Sequence, residues 1–271
     1  MADTLVLAGC GKMGSALLGG WLERGVDATD VTVVEPFEET ASRVAQEFGV
    51  AVIPAPDDMA SDAAPKTIVF AVKPQSVDDT VPAYARFTGA DTVFLSIAAG
   101  KTIGYFQGKL DNRAAIVRAM PNTPAAVGRG ITVACANANT GDDQVRRCDG
   151  LLQAVGAVAW IEDECLMDAV TALSGSGPAY VFALTECMAE AGMEAGLPAD
   201  LANQLARETV SGAGELMRQS SETAGQLRVN VTSPGGTTAA ALDILMAGGG
   251  LRELMIGAIA AAARRSRELA G

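Results

Sequence analysis

The chain has 271 residues, of which 49% are hydrophobic and 4% aromatic, and it carries a formal net charge of -12. This length and apolar content supply one or two domains with a sizeable core, so disorder is excluded and neither disulfides nor metals are needed for folding. The strong negative charge argues against nucleic acid and anionic membrane surfaces as partners.

The five cysteines are scattered along the chain, without a C-x-x-C pair or a metal-ligand spacing. Unpaired thiols are typical of a reducing compartment, so we expect a cytoplasmic protein with no metal site. The longest apolar region is interrupted at 174–178 and is followed by Glu186, which leaves no run of 18 apolar residues. We therefore expect no membrane-spanning segment.

Short β-branched segments alternate with helical patterns in the first part of the chain. The expected strands are 5–7, 31–34, 67–72, 92–97, 115–117, 131–134 and 158–161. Helical patterns such as 15–22 and 143–155 lie between them. This alternation predicts parallel strands joined by helical crossovers, in an α/β domain with a mostly parallel sheet over residues 1–162.

A glycine-rich turn follows the first expected strand and leads into a helical pattern. Its six residues are Gly9, Cys10, Gly11, Lys12, Met13 and Gly14. In this strand–turn–helix setting, G-x-G-x-x-G is typical of Rossmann-type domains that bind a dinucleotide, although a turn without a ligand is the alternative. Gly9 permits the tight turn, Gly11 lets the backbone approach a pyrophosphate, and Gly14 permits close helix packing. We therefore predict a bound nicotinamide dinucleotide, and a side chain at Gly11 should block it.

Glu35 ends the second expected strand, 21 positions after Gly14. An acidic residue at this place accepts hydrogen bonds from the adenosine ribose hydroxyls and repels a 2'-phosphate. No basic residue follows until Arg43, which would need a backbone shift to reach a phosphate. The sequence thus indicates NAD(P)H as the cofactor, with a preference for NADH.

Later strands end in small residues and prolines that should lie over the same crevice. The candidate cofactor contacts are Ala71, Val72, Lys73, Pro74, Ala98, Ala99, Gly100 and Asn122. Each of them alone could be an ordinary loop residue. Their recurrence at strand ends favours a ligand site with room for a nicotinamide ring.

After Glu162 the strand patterns give way to helical ones, at 179–195, 199–219, 239–246 and 250–269. We predict an all-α domain over residues 163–271. It is rich in Ala, Gly and Met and has few aromatic residues, so we expect it to pack against a second copy of the chain. The small-residue turn at 173–178 either approaches the substrate or lets two helices cross.

The segment 231–238, VTSPGGTT, precedes the expected helix 239–246. Hydroxyls and unpaired N–H groups at a helix N-terminus form a nest that binds a carboxylate well. A capped helix after a Pro-Gly turn would account for one hydroxyl and one glycine. It does not require all of Ser233, Gly235, Gly236, Thr237 and Thr238.

The chain has no histidine, and its five lysines all lie at or before Lys109. This excludes general acid catalysis by histidine and argues against alcohol oxidation in the helical half. An imine demands less proton handling, because its nitrogen can arrive protonated and hydride addition to its carbon leaves a neutral amine. Binding geometry can then supply much of the rate. We therefore favour a reductase of a small cyclic imino acid.

Four ordered motifs resemble those of the pyrroline-5-carboxylate reductase family, across nearly the whole chain. They are AVKPQ at 71–75, RAMPNTP at 118–124, MDAVTALSGSGPAY at 167–180 and VTSPGGTTAAAL at 231–242. The resemblance implies hydride transfer from NAD(P)H to 1-pyrroline-5-carboxylate, which gives L-proline in the last step of proline biosynthesis. It also implies an α/β Rossmann-type N-terminal domain followed by an all-α C-terminal dimerisation domain. The expected assembly is a homodimer, often in a ring of dimers, with active sites between subunits.

The resemblance also implies roles for the residues of the nest. Ser233, Gly236 and Thr237 would hold the substrate carboxylate together with Thr238, and Gly235 belongs to the same turn. The Thr238 hydroxyl would also face the ring nitrogen, which makes Thr238 the expected catalytic residue.

Two places depart from the family pattern. Glu222 and Asn230 fall on the loop that approaches the substrate in the family, but this chain has Glu-Thr-Ala at 222–224 where Glu-His-Pro is frequent. Glu35 is the second departure, since many relatives prefer NADPH and carry small or basic residues after this strand. We still expect Glu222 and Asn230 to contact the substrate.

Two other functions stay open at this stage. A β-hydroxyacid dehydrogenase-like oxidoreductase shares the glycine turn and a helical second half, but it needs a lysine there and none follows Lys109. A non-catalytic dinucleotide-binding protein would have no need of the nest at 233–238.

Overall fold

The computed structural model describes residues 4–270, and its first part is built around an eight-stranded sheet with the order β3-β2-β1-β4-β5-β6-β7-β8. The strands are β1 (Leu5–Ala8), β2 (Val31–Val34), β3 (Ala51–Ile53), β4 (Thr67–Phe70), β5 (Val93–Ser96), β6 (Ala115–Met120), β7 (Gly130–Ala136) and β8 (Gly156–Trp160). The helices between and after them are α1 (Lys12–Glu23), α2 (Glu38–Phe48), α3 (Val77–Thr80), α4 (Ile103–Lys109), α5 (Asp142–Gln153) and α6 (Met167–Val170). The predicted mostly parallel α/β domain is confirmed.

One strand departs from the predicted parallel arrangement. β7 pairs with β6 in the antiparallel sense, whereas the other neighbouring strands pair in parallel. Only the nine residues 121–129, which include the short 3-10 turn Thr123–Val127, lie between β6 and β7. A parallel connection needs a crossover of about a dozen residues or more, so this turn can only reverse the chain.

The strand order reverses beside β1, because the chain moves outward from β1 to β2 and β3 and then returns to place β4 on the other side. At such a switch point, the loops that follow β1 and β4 diverge and leave a crevice at the carboxyl ends of the strands. The crevice is bounded on the far side by the loop after β3. Sequence analysis did not predict β3, because three residues are too short to show an alternating pattern.

The sheet is covered on both faces by apolar side chains. Along β1, Leu5 and Leu7 belong to one buried cluster, and Val6 and Ala8 belong to the other. Successive strand side chains point to opposite faces, so the all-apolar strand supplies both clusters. The first cluster includes Trp21, whose indole N–H donates to the Leu151 carbonyl (2.9 Å) and ties α1 to α5.

The rest of the described chain is helical, as predicted. Its helices are α7 (Gly177–Glu194), α8 (Ala199–Gln219), α9 (Ala224–Asn230), α10 (Thr237–Leu245) and α11 (Leu251–Ala270). The chain divides into two compact units: the first runs to Gly175 and includes the chain from Ala263 onward, and the second is Ser176–Ala262. The boundary predicted between residues 162 and 163 lies within the first unit and stays a prediction.

The second unit buries little apolar surface. Within it, the buried hydrophobic residues are the alanines Ala189, Ala202 and Ala206. These small side chains let α7 and α8 approach closely, since a Cβ on Gly192 would lie 3.3 Å from the Cβ of Ala202. No helix among residues 4–270 is long and apolar enough to cross a membrane.

Candidate active site

The glycine turn lies where β1 passes into α1, at the switch point of the sheet. Gly9 has a φ of +86°, a left-handed conformation that favours glycine, and its N–H donates to the Val34 carbonyl (2.9 Å). Gly11 is the N-cap residue of α1 and provides no side-chain cap. The first N–H groups of α1 therefore remain available to an anion.

The three glycines of the turn are required for different reasons. A Cβ on Gly9 would lie 2.7 Å from Cγ1 of Val72, and a Cβ on Gly14 would lie 2.5 Å from the Gly9 carbonyl oxygen. At both positions, neighbouring atoms of the protein leave no room for a side chain. A Cβ on Gly11 would meet no atom within 4 Å. The space in front of Gly11 is the cradle that a pyrophosphate would fill, so the turn suits a dinucleotide.

Glu35 follows β2 and is buried against the turn. Its Oε2 accepts from the Cys10 N–H (3.0 Å), and its Oε1 accepts from the Phe37 N–H (3.2 Å). Each carboxylate oxygen can accept more than one hydrogen bond, so capacity remains for ribose hydroxyls. Burial raises the pKa of the neighbouring Cys10 thiol, which therefore stays neutral beside the anion cradle.

A cavity of about 650 Å³ opens from the turn along the carboxyl ends of the strands. Seven of the residues predicted to contact the cofactor line it: Gly9, Cys10, Gly11, Glu35, Ala71, Val72 and Lys73. Such a volume is in the range of small-molecule and cofactor pockets. The sequence prediction thus located the crevice from residues far apart in the chain.

Other predicted contacts lie next to this cavity in the fold but are not part of its lining. Lys12 and Met13 begin α1, with the Lys12 side chain exposed, and Pro74 begins the short 3-10 turn after β4. The segment Ala98, Ala99 and Gly100 follows β5 at the same edge of the sheet, and Gly100 has a φ of +76°.

Asn122 differs from the other predicted contacts, because both ends of its side-chain amide are hydrogen-bonded within the first unit. Its Oδ1 accepts from the Ile131 N–H (3.0 Å), and its Nδ2 donates to the Ser174 carbonyl (3.2 Å). Ser174 belongs to the π-helical turn Thr171–Gly175. A Cβ on Gly175 would meet the Met120 methyl at 2.6 Å. This close contact explains why a glycine is needed at position 175 for packing against Met120.

Several cavity residues were missed by sequence analysis. They include Pro36, Phe37, Thr40, Pro54, Ala55, Pro56, Ser76, Asp79, Thr80, Ala83 and Tyr84. Pro54 to Pro56 follow the unpredicted strand β3, so nothing marked them as strand-end residues. Phe37 was detectable in principle, because it lies two residues after Glu35, close to the end of β2.

The predicted nest has the expected backbone geometry in the second unit. The Gly236 N–H donates to the Ser233 carbonyl (3.0 Å), and Gly235 has a φ of +69°. With Pro234 at the second position, these features define a type II turn, which requires glycine at its third position. The turn leads directly into α10, whose first two residues are Thr237 and Thr238.

The polar groups of the nest are open to a ligand. Gly236 is the N-cap residue of α10 and supplies no side-chain cap. Within residues 4–270, the hydroxyls of Ser233, Thr237 and Thr238 form no hydrogen bond to another residue. N–H donors at a helix start together with three hydroxyls can bind a carboxylate and still leave one hydroxyl for a neighbouring polar atom.

Glu222, two residues before α9, contacts Asn230, the last residue of that helix. The Asn230 Nδ2 donates to Oε2 of Glu222 (2.9 Å), and Gln226 donates to the Asn230 Oδ1 (2.8 Å). Both side chains are exposed, and Asn230 lies three residues before Ser233. The structure therefore brings together the two loop residues that the family resemblance had selected.

Two family models match the chain. A model described as pyrroline-5-carboxylate reductase dimerisation matches residues 164–269, and a model described as NADP oxidoreductase, coenzyme F420-dependent, matches residues 4–100. The first match covers α7 to α10 and α11 up to residue 269. The second covers the glycine turn, Glu35 and the segment 71–74.

The chain is also similar to individual proteins over almost its full length. It is 37% identical to a pyrroline-5-carboxylate reductase of Pseudomonas aeruginosa, covering 98% of this chain and 96% of the relative. The solved pyrroline-5-carboxylate reductase of Coxiella burnetii superimposes with a TM-score of 0.93 at 33% identity over 100% of both chains. The Plasmodium falciparum pyrroline carboxylate reductase with NADP bound superimposes with a TM-score of 0.82 at 28% identity, over 99% and 98% of the two chains.

Proposed function

The chain belongs to the pyrroline-5-carboxylate reductase family, and we propose that it catalyses the NAD(P)H-dependent reduction of 1-pyrroline-5-carboxylate to L-proline. The observation that carries this proposal is the presence in one chain of an open anion cradle at Gly11 and an uncapped nest at 233–238. The cradle is suited to a pyrophosphate and the nest to the carboxylate of an imino acid. A non-catalytic dinucleotide-binding protein would need the cradle but not the nest.

In the first unit, the chain's task is to hold a reduced dinucleotide in a fixed orientation. The backbone at Gly11 and the first turn of α1 bind the pyrophosphate, and Glu35 binds the adenosine ribose through its remaining acceptor capacity. The bound cofactor supplies a hydride. Small residues at Ala71 and Ala98 leave room for its ring, and Asn122 keeps the end of β6 in place.

In the second unit, the nest orients the substrate. The N–H groups at the start of α10 and the hydroxyls of Ser233 and Thr237 hold the carboxylate, while the Thr238 hydroxyl hydrogen-bonds the ring nitrogen. The imine carbon accepts the hydride, and the C=N double bond becomes a C–N single bond as its electron pair moves to the protonated nitrogen. The chain needs no histidine for this step, because the nitrogen brings its own proton.

Thr238 provides the direct test of this assignment. Thr238→Ala should lower kcat by about 10- to 100-fold, the effect of one hydrogen bond to a charged group, and leave the Kd for the dinucleotide nearly unchanged. Thr238→Ser keeps the hydroxyl and should retain most activity. The assay follows dinucleotide absorbance with pyrroline-5-carboxylate as substrate. Full activity in Thr238→Ala would refute the role of Thr238, even if the reaction itself is observed.

We further propose that NADH is the preferred cofactor. Glu35 places a negative charge where a 2'-phosphate would lie, and like charges at this distance oppose binding. The ratio of kcat/KM for NADH to that for NADPH should exceed one, and Glu35→Gln should lower it. A much lower KM for NADPH in the wild-type protein would contradict this preference.

The proposed assembly is a homodimer formed through the C-terminal helices, with a ring of dimers as the larger form. Light scattering over a range of concentrations measures the mass of the dimer and of the ring. A monomeric mass at micromolar concentration would contradict the dimer. We also propose a cytoplasmic location, which is supported by five unpaired cysteines.

The β-hydroxyacid dehydrogenase alternative is tested in the same assay. Oxidation of a 3-hydroxy acid with NAD(P)+, without reduction of the imine, would favour it. Dinucleotide binding without either reaction would favour the non-catalytic alternative. The absence of lysine after Lys109 supports the imine reductase over the dehydrogenase.

A further inference from the structure

Arg43 contacts the glycine turn from α2. Its Nη2 donates to the Cys10 carbonyl (3.3 Å) and to the Ser15 hydroxyl (3.2 Å), and its Nη1 pairs with Glu47 (2.8 Å). The side chain is 48% exposed. The guanidinium is therefore held at the turn but can still exchange partners with a ligand.

Cys10 is flanked by opposite charges. Glu35 accepts from its N–H, while Arg43 donates to its carbonyl, and both charges act on the thiol of Cys10. Glu35 marks the position of the adenosine ribose in the proposed function. A cation on the other side of the same residue is thus close to the 2'-position of that ribose.

The face of α2 that bears Arg43 leads into the cavity. Thr40 lines the cavity, and Arg43 follows it by three residues, so the two side chains lie on neighbouring positions of one helix face. Arg43 therefore lies beside the cavity residue Thr40 on this helix. Its planar, multi-donor guanidinium suits a phosphate better than a lysine would.

We propose that Arg43 binds the 2'-phosphate when this chain takes up NADPH, and that its ion pair with Glu47 limits this binding. The inference rests on the proposed dinucleotide function and adds a determinant of cofactor choice. Glu35 disfavours the phosphate, Arg43 favours it, and Glu47 competes for the guanidinium. The chain then binds both NADH and NADPH, and these three residues set the ratio of the two affinities.

Other cations near the cavity are less suited to this role. Lys73 follows β4, on the opposite side of β1 from β2 and Glu35. Arg86 donates to the Pro56 carbonyl (2.6 Å) and lies over the ring of Phe87, 4.6 Å from its centroid. The Arg43 side chain hydrogen-bonds to Cys10, the same residue whose N–H donates to Glu35.

The test compares nucleotides that differ in the 2'-phosphate, measured by calorimetry on the full chain. Arg43→Ala should weaken binding of 2',5'-ADP and NADPH by about 10- to 100-fold and change binding of 5'-AMP and NADH by less than about twofold. Arg43→Lys should recover part of the loss. Glu47→Gln should strengthen NADPH binding by about two- to fivefold, the range for an exposed ion pair. The gain from Glu35→Gln should disappear when Arg43→Ala is added.

Matched controls come from the pair Arg146 and Asp143 on α5, which has the same charges away from the cavity. Arg146→Ala and Asp143→Asn should leave all four affinities unchanged. If Arg43 only braces the turn, Arg43→Ala will weaken NADH and NADPH equally, and the inference is overturned. If NADH binds but the ratio of the NADPH affinity to the NADH affinity changes in none of the variants, the inference is overturned as well. If no nucleotide binds to the wild-type chain, the proposed function fails and the inference fails with it.

Discussion

The two units of the chain differ in where they keep their apolar side chains. The first unit buries its large ones: Trp21, Phe70, Phe94 and Phe106 are almost inaccessible to solvent. The second unit buries only alanines and leaves large apolar residues exposed on its helices, including Phe182, Leu216, Ile244, Met246 and Leu254. One unit has a core of its own, and the other has an apolar surface without a partner within the described chain.

This difference separates two ways of building a ligand site. In the first unit, the glycine turn is fixed by a packed sheet and helix, so its geometry exists before any ligand arrives. In the second unit, the nest is part of a group of helices that expose many large apolar side chains, and such exposed apolar residues often mark an interaction surface. The match of residues 164–269 to a dimerisation model agrees with association through this surface. We expect the first site to depend on internal packing and the second on assembly.

Disrupting the proposed dimer should give the largest loss of activity. The double variant Ile244→Glu with Leu254→Glu places charges on side chains that are 76% and 67% exposed in the single chain, and burying such charges in an interface costs several kcal/mol. The mass in light scattering should fall to that of a monomer, and kcat/KM should fall at least about 100-fold. Val127→Glu is the control, since Val127 is 74% exposed in the first unit. An unchanged mass with full activity in the double variant would show that these residues lie outside the interface.

The glycine turn should respond to substitution in two separable ways. Gly14→Ala forces a Cβ to within 2.5 Å of the Gly9 carbonyl, so it should destabilise the first unit by about 1–3 kcal/mol and lower the Tm. Gly11→Ala meets no protein atom, so the Tm should stay unchanged while the Kd for NADH rises at least about 100-fold.

Gly235→Ala gives the corresponding test in the nest. Its φ of +69° costs an alanine about 1 kcal/mol, but no neighbour blocks the Cβ. It should raise the KM for the imino acid and leave the Kd for NADH unchanged.

If Gly11→Ala binds NADH as tightly as the wild type, the open space in front of Gly11 is not the pyrophosphate cradle.

Sequence patterns predicted the features that depend on neighbouring residues. The glycine turn, the end of β2 at Glu35 and the turn 233–236 each need only a few consecutive residues, and each forms as predicted. The direction of β7 and the cavity wall after β3 depend on how distant strands pair, which local patterns do not encode. Arg43 was expected to need a backbone shift to reach a phosphate. Its contact with the Cys10 carbonyl depends on how α2 packs against the turn, which local patterns do not encode either.

Asn122 provides the last comparison, between a residue that binds a ligand and one that holds the scaffold. Sequence analysis selected it as a cofactor contact, but its amide bridges Ile131 and Ser174. Asn122→Ala should therefore lower the free energy of unfolding by about 1–3 kcal/mol, because two half-buried backbone groups lose their partners. The Kd for NADH should change by less than about twofold.

Asn122→Asp separates the two hydrogen bonds of this side chain. The carboxylate can still accept from the Ile131 N–H but cannot donate to the Ser174 carbonyl, so the variant tests the link to the π-helical turn alone. We expect an intermediate loss of stability and again no loss of NADH affinity, measured by thermal unfolding and calorimetry. A large loss of affinity with an unchanged Tm would assign Asn122 to the cofactor. In that case the site in the first unit would also be incomplete without its ligand. The two units would then differ less in how their sites form.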